Sequence, residues 1–85
     1  MQLYILESLK DFSHYVGISK DATLRLIEHN SGKTKSTKKK MPWIIIYTEQ
    51  HKDIKSARER EKYLKSYKGV GDKRRIIQEF TRKKL

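Results

Sequence analysis

Cysteine is absent from this chain of 85 residues, and histidine occurs only three times, at scattered positions. Disulfides and cysteine-based zinc sites are therefore excluded, and any metal ion must sit on oxygen. Long apolar runs are missing as well. None approaches the ~20 residues of a membrane span, and the first residues lack the charged, apolar and small-residue succession of a signal peptide. The chain reads as soluble and cytoplasmic, and no segment is a pure enough amphipathic helix to make a membrane its partner. Acidic residues are few: 10, against 21 lysines and arginines, for a net charge of +11. So large an excess points to a polyanionic partner. The length suits one domain with a modest core, since a chain of this size hides only about 60–65% of its unfolded surface.

What is present reads as alternating strands and helices. "QLYILE" (2 to 7) and "HYVGIS" (14 to 19) are rich in β-branched and aromatic residues and suggest an antiparallel hairpin. A helix is expected from Ala22, capped by Asp21 or Ser19, with Ala22, Leu26 and Ile27 on its apolar side and Gly32 near its C-cap. "KTKSTKKK" (33 to 40) is too polar to pack and reads as a flexible basic loop closed by Pro42. "WIIIYTE" (43 to 49) is the strongest strand signal, and its unbroken isoleucines suggest a central strand covered on both faces. A second helix runs from about Asp53 to Tyr67. "KGVG" breaks it, and Asp72 caps a third helix that ends in a basic tail, "TRKKL". The expected fold is α+β, in the order β-β-α-β-α-α, with a small three-stranded antiparallel sheet flanked by helices in a single domain, 1 to 85.

At about 100° per residue, Arg25 and His29 fall beside Ala22, at the border of the apolar arc, where they face a rim. On the second helix Ile54, Ala57 and Leu64 define the buried arc, and Glu61 projects between them. A carboxylate turned toward a core is costly unless it is paired or holds a cation. Each of these residues also has an ordinary structural reading. Strand tyrosines such as Tyr4 and Tyr15 pack and leave their hydroxyls at the surface, while Arg25 and Glu61 can be plain salt-bridge partners.

Taken in order, "LYIL" (3 to 6), "YVG" (15 to 17), "DATLRLIEHN" (21 to 30) and "REREKYLK" (58 to 65) resemble the GIY-YIG nuclease domain. The likeness extends to small stand-alone bacterial members and to the N-terminal nuclease domain of the excision-repair endonuclease. It covers residues 2 to 68 and leaves 72 to 85 as a C-terminal helix and tail. Leu3 stands where the first signature has its leading Gly, and the further Asn that some branches carry past the Glu helix is missing. The resemblance implies a metal-dependent endonuclease with DNA as the favoured substrate, in repair or recombination, although a basic rim grips RNA as well. It implies one cleft formed by Tyr4, Tyr15, Arg25, His29 and Glu61, with Gly17 and Asn30 as structural parts of the motifs.

Hydrolysis of a phosphodiester needs an activated water, neutralisation of charge on the phosphoryl oxygens and help for the leaving alkoxide. One carboxylate is too few for a two-metal clamp, so a single Mg²⁺ (or Mn²⁺) on Glu61 is expected, with Arg25 on a non-bridging oxygen. The resemblance favours Tyr4 as the base, supported by His29 and Tyr15, although His29 has the better unperturbed pKa. Lys33, Lys35, Lys38, Lys39 and Lys40 in the loop, with Lys62, Lys65, Lys68, Arg74 and Arg75, are the expected phosphate contacts. Such contacts carry no sequence information, so preference is weak or comes from a partner protein. The alternative is a basic nucleic-acid-binding module without catalysis.

Overall fold

Leu3 and Ile5 on one side of the first strand, and Tyr4 and Leu6 on the other, are large apolar residues. β1 (Gln2–Ser8) can therefore be buried on both faces, and it lies at the centre of the sheet. The computed structural model describes residues 1–83. The end of the expected basic tail, Lys84 and Leu85, lies outside the described residues. β1 pairs antiparallel with β2 (His14–Ser19) on one side and with β3 (Trp43–Gln50) on the other, giving the order β2-β1-β3.

β3 is thus an edge strand, not the expected central one. An unbroken apolar run reports two covered faces and says nothing about the number of hydrogen-bonded neighbours. Both faces of β3 are indeed packed, by α1 (Ala22–Asn30) on one and α3 (Val70–Lys83) on the other. A register shift accompanies this. Ile5 pairs with Tyr47 but Leu6 pairs with Ile45, so Ile46 is an extra, bulged residue. The bulge resets the alternation, sending Trp43 and Ile45 to one face and Ile46 and Tyr47 to the other.

Two cores result. On the α1 face Tyr4, Leu6, Ala22 and Trp43 are buried, with Tyr15, Leu26 and Ile45 against them. On the opposite face Leu3, Ile5, Val16 and Leu64 are buried beneath α2 (Ile54–Lys65) and α3, with Ile76 against them. Burying groups of this size contributes about 1.5–3 kcal/mol each, which is what a thin two-sided core must rely on.

The helix ends follow their side chains. Asp21 accepts from Leu24 N at 3.1 Å and Asp53 from Ser56 N at 2.8 Å, each satisfying an orphan donor of the first turn. Gly32, with φ +80°, follows the first helix in the left-handed conformation. Two expectations shift. α3 begins at Val70, so Asp72 lies in its first turn, where it accepts from Tyr63 Oη at 2.7 Å instead of capping. On α1 the buried positions are Ala22 and His29 with Leu26 half-buried, while Ile27 is exposed.

The segment after α1 is not merely a polar loop. Lys38–Lys40 form a short 3-10 turn, and Thr37 immediately before it is fully buried. Its backbone oxygen accepts from Trp43 Nε1 at 2.9 Å. Asn30 reaches the same place, donating to Trp43 O at 2.9 Å and accepting from Trp43 N at 2.7 Å, so one amide side chain pins the segment's exit to the end of α1.

Candidate active site

Alternation along β1 and β2 puts Tyr4 and Tyr15 on the α1 face, with ring centroids 6.4 Å apart. Tyr4 pairs with Gly17 across the hairpin. A Cβ at Gly17 would lie 2.5 Å from the Tyr4 hydroxyl and 3.0 Å from the Tyr15 ring. Only a glycine leaves the Tyr4 phenol room to lie across the neighbouring strand.

His29 does not face a rim. It is fully buried, because Ala22, Leu26 and His29 (i, i+4, i+7) share the face that docks on the sheet. Its Nε2 lies 3.0 Å from Tyr4 Oη and its Nδ1 2.8 Å from Thr37 Oγ1. Thr37 Oγ1 donates its only proton to Thr34 O at 3.3 Å. With the Thr37 proton placed on Thr34 O, Oγ1 accepts from Nδ1–H and the Nε2 lone pair accepts the Tyr4 proton. Burial, and next the Arg25 charge, hold the His29 pKa below its ordinary value and keep the ring neutral. Burial above all, with Tyr15 and Glu61 adding to it and Arg25 opposing, pushes the Tyr4 phenol up to about 12.

Arg25 stands at the cleft edge, its side chain 34% exposed and paired with Glu28 at 2.7 Å. Its pKa is raised, first by its hydrogen bond to Glu28, and Tyr4 contributes in the same direction. Glu61 is less inward than expected: Ile54 is exposed and the buried positions of α2 are Ala57 and Leu64. The Glu61 side chain is 21% exposed and pairs with Lys65 at 3.3 Å. Lys65 Nζ in turn sits 5.6 Å from the Tyr15 ring centre, and the edge of that ring faces His29 at 5.0 Å. Tyr4, Tyr15, Arg25, His29 and Glu61 are thus brought to one place.

The basic residues are divided. Lys33, Lys35, Lys38, Lys39 and Lys40 are exposed on the segment that carries Thr37, and Lys62 and Lys68 are exposed at the end of α2 and just beyond it. Arg74 and Arg75 lie on α3, against the other face of the sheet, and Arg75 is paired with Asp72. Sequence reasoning misses Thr37, which nothing local marks; the salt-bridge partner it allows Glu61 is Lys65, one helical turn on.

Among the described residues no group of three or more His, Asp or Glu side chains could hold a metal ion alone. The one carboxylate available is Glu61, near enough to Tyr4 to help raise its pKa. That suits Mg²⁺ or Mn²⁺, which keep several waters and bind through one or two carboxylates together with substrate phosphate.

Fold and cleft define the class: the family model of the GIY-YIG catalytic domain matches residues 1–83, and the chain belongs to this family, whose members are nucleases acting on nucleic acid. Among curated proteins it is similar to UPF0213 proteins of Bacillus cereus, Bacillus thuringiensis subsp. konkukian and Bacillus anthracis, at 35% identity over 63 residues. The match covers 73% of this chain and 65% of each relative, just under two thirds of their length. No solved structure matches the chain significantly. No helix among the described residues is long and apolar enough to cross a membrane.

Proposed function

We propose that this chain is a metal-dependent endonuclease that hydrolyses phosphodiester bonds in DNA. The observation that carries the reading is the chain of hydrogen bonds linking Tyr4, His29 and Thr37, beside a half-exposed Arg25. A phenol with its pKa near 12 is not a phenolate at neutral pH, so Tyr4 acts as a relay. As water attacks phosphorus, its proton passes to Tyr4 Oη while the phenol proton passes to His29 Nε2. Thr37 keeps the imidazole oriented as it becomes charged. Arg25 takes a non-bridging oxygen and offsets the growing negative charge. Tyr15 packs against His29 and fixes the ring. The bond to the leaving oxygen then breaks, and that oxygen takes a proton from solvent. Glu61 would hold the Mg²⁺ or Mn²⁺, which when bound supplies Lewis-acid stabilisation of the leaving oxygen.

The test is incubation with nicked, branched, single-stranded and duplex DNA and with RNA, with and without Mg²⁺, for the wild type and Glu61→Gln. The wild type is expected to cut only with metal and to gain melting temperature from it. Glu61→Gln should neither cut nor respond, while binding DNA without metal as well as before or better, since an anion has left the cleft. A wild type that binds DNA, ignores Mg²⁺ and cuts nothing would make the chain a non-catalytic binding module.

A further inference from the structure

The turn between β1 and β2 displays an aromatic ring that the fold does not use. Phe12 is 68% exposed and its backbone is left-handed, with φ 62°. Bulky residues seldom adopt that conformation because Cβ crowds the backbone. Here the ring is left out of both cores, so packing of the side chain does not offset the cost of that backbone.

The turn is also rigid. Phe12 N donates to Ser8 O at 2.9 Å, and Ser8 N donates to Ser13 O at 2.9 Å. Ser8 Oγ accepts from Lys10 N at 3.1 Å and Asp11 N at 3.2 Å while donating to Lys40 O at 2.7 Å. Leu9 N donates to Pro42 O at 2.8 Å. The turn that carries the ring is therefore fastened to the lysine turn that follows Thr37. Lys10 reaches Lys39 O at 3.1 Å, and Lys38, Lys39 and Lys40 are exposed beside it. The acidic group of this turn, Asp11, is already engaged: it accepts from Ser13 N and Ser13 Oγ and lies 3.6 Å from Lys40 Nζ.

We propose that Phe12 is a stacking platform for an unpaired base of a nucleic-acid strand whose phosphates run along the lysines of the 3-10 turn. An exposed ring on a turn hydrogen-bonded to a lysine-rich turn supplies the two elements, stacking and positive charge, that sequence-tolerant single-strand binding uses. Phe12 lies three residues from Tyr15, at most about 10 Å of chain, so the platform stands at the turn of the hairpin that carries Tyr4 and Tyr15. The platform rests on the reading of the chain as a nucleic-acid-cutting protein and adds a preference for substrates with unpaired nucleotides beside the cut.

Binding of an oligothymidine strand and of a blunt duplex of equal length, followed by fluorescence anisotropy over a salt series, tests it in the wild type, Phe12→Ala, Phe12→Gly and Phe12→Tyr. The Ala and Gly variants should bind the single strand about 10-fold more weakly, with duplex affinity and salt slope unchanged, and Tyr should match the wild type. Phe12→Gly should melt higher than the wild type because it accepts the left-handed backbone, so its loss of binding cannot come from unfolding. Equal single-strand affinity of the wild type and Phe12→Ala overturns the platform while leaving the nucleic-acid reading intact. A wild type that binds neither oligonucleotide overturns both. Binding to phosphatidylserine vesicles that depends on Phe12, with oligonucleotide binding that does not, assigns the ring to a membrane and also overturns the platform.

Discussion

Two tyrosines on opposite faces of one small sheet each meet a histidine, an arginine or both, and a glutamate, and they end in different chemistry. Tyr47 donates to Glu49 Oε2, while Glu49 Oε1 is bound by Arg60 Nε at 2.9 Å and lies 2.7 Å from His51 Nε2. Tyr4 instead lies 3.0 Å from an imidazole nitrogen, His29 Nε2, and its nearby arginine is half-exposed at the cleft. Burial is the largest cause raising both phenols. A shifted tyrosine therefore does not by itself mark a site. What separates the clusters is the acceptor. A carboxylate closed by an arginine makes a fastener between β3 and α2, whereas a neutral base in line behind a phenol, with a cation beside both, makes a proton path.

Replacing the two arginines separates them most strongly. Arg25→Ala should lower turnover by about 10²–10³-fold, the usual loss of a transition-state charge contact. Its fold should lose no more than about 1 kcal/mol, the value of a half-exposed pair. Arg60→Ala should do the reverse. It leaves a half-buried carboxylate short of a donor, costing about 1–3 kcal/mol in stability, with cleavage per folded molecule nearly unchanged. Urea unfolding beside single-turnover cleavage reads both quantities, and equal loss of turnover in the two variants would erase the distinction.

Acid should separate the clusters by a smaller margin. His29 has a folded pKa below its ordinary 6.5, so below that value the unfolded chain binds a proton that the folded one resists. Its contribution is complete above pH 6.5 and is lost as the pH falls toward the folded value. Glu49 is also depressed: burial, its largest influence, raises its pKa, but hydrogen bonds from Tyr47, His51 and Arg60 together prevail and hold it below 4.5. Stability from Glu49 is lost only as the pH falls further, in a window shared with Asp11 and Asp53. Melting temperature should therefore fall in two stages on acidification. His29→Gln removes the first, and Glu49→Gln reduces the second.

Much of this is legible in the sequence. The alternation in "QLYILE" and "HYVGIS" sets the hairpin and the shared face of Tyr4 and Tyr15, and the caps Asp21 and Asp53 mark two helix starts. Three things are not. The place of β3 at the edge depends on pairing, which its isoleucines do not encode, and its bulge at Ile46 depends on both partners. Burial of His29 is masked by Ile27, the greasier residue two positions earlier, because hydrophobicity ranks side chains and not the partners waiting for them. Thr37 is one hydroxyl in a lysine-rich run, and its value emerges only once that run folds back onto α1.

The most direct measurement is cleavage by Tyr4→Phe set beside cleavage by Tyr47→Phe, each in Mg²⁺ and with folding checked by circular dichroism. Each change removes one phenolic oxygen from an otherwise similar cluster. Tyr4→Phe should bind DNA normally and cut at least about 10²-fold more slowly, the scale of a lost proton-transfer group, while Tyr47→Phe should melt lower and cut as the wild type does. A Tyr4→Phe variant that cuts at the wild-type rate would contradict the relay through His29 and leave both tyrosines as parts of the scaffold.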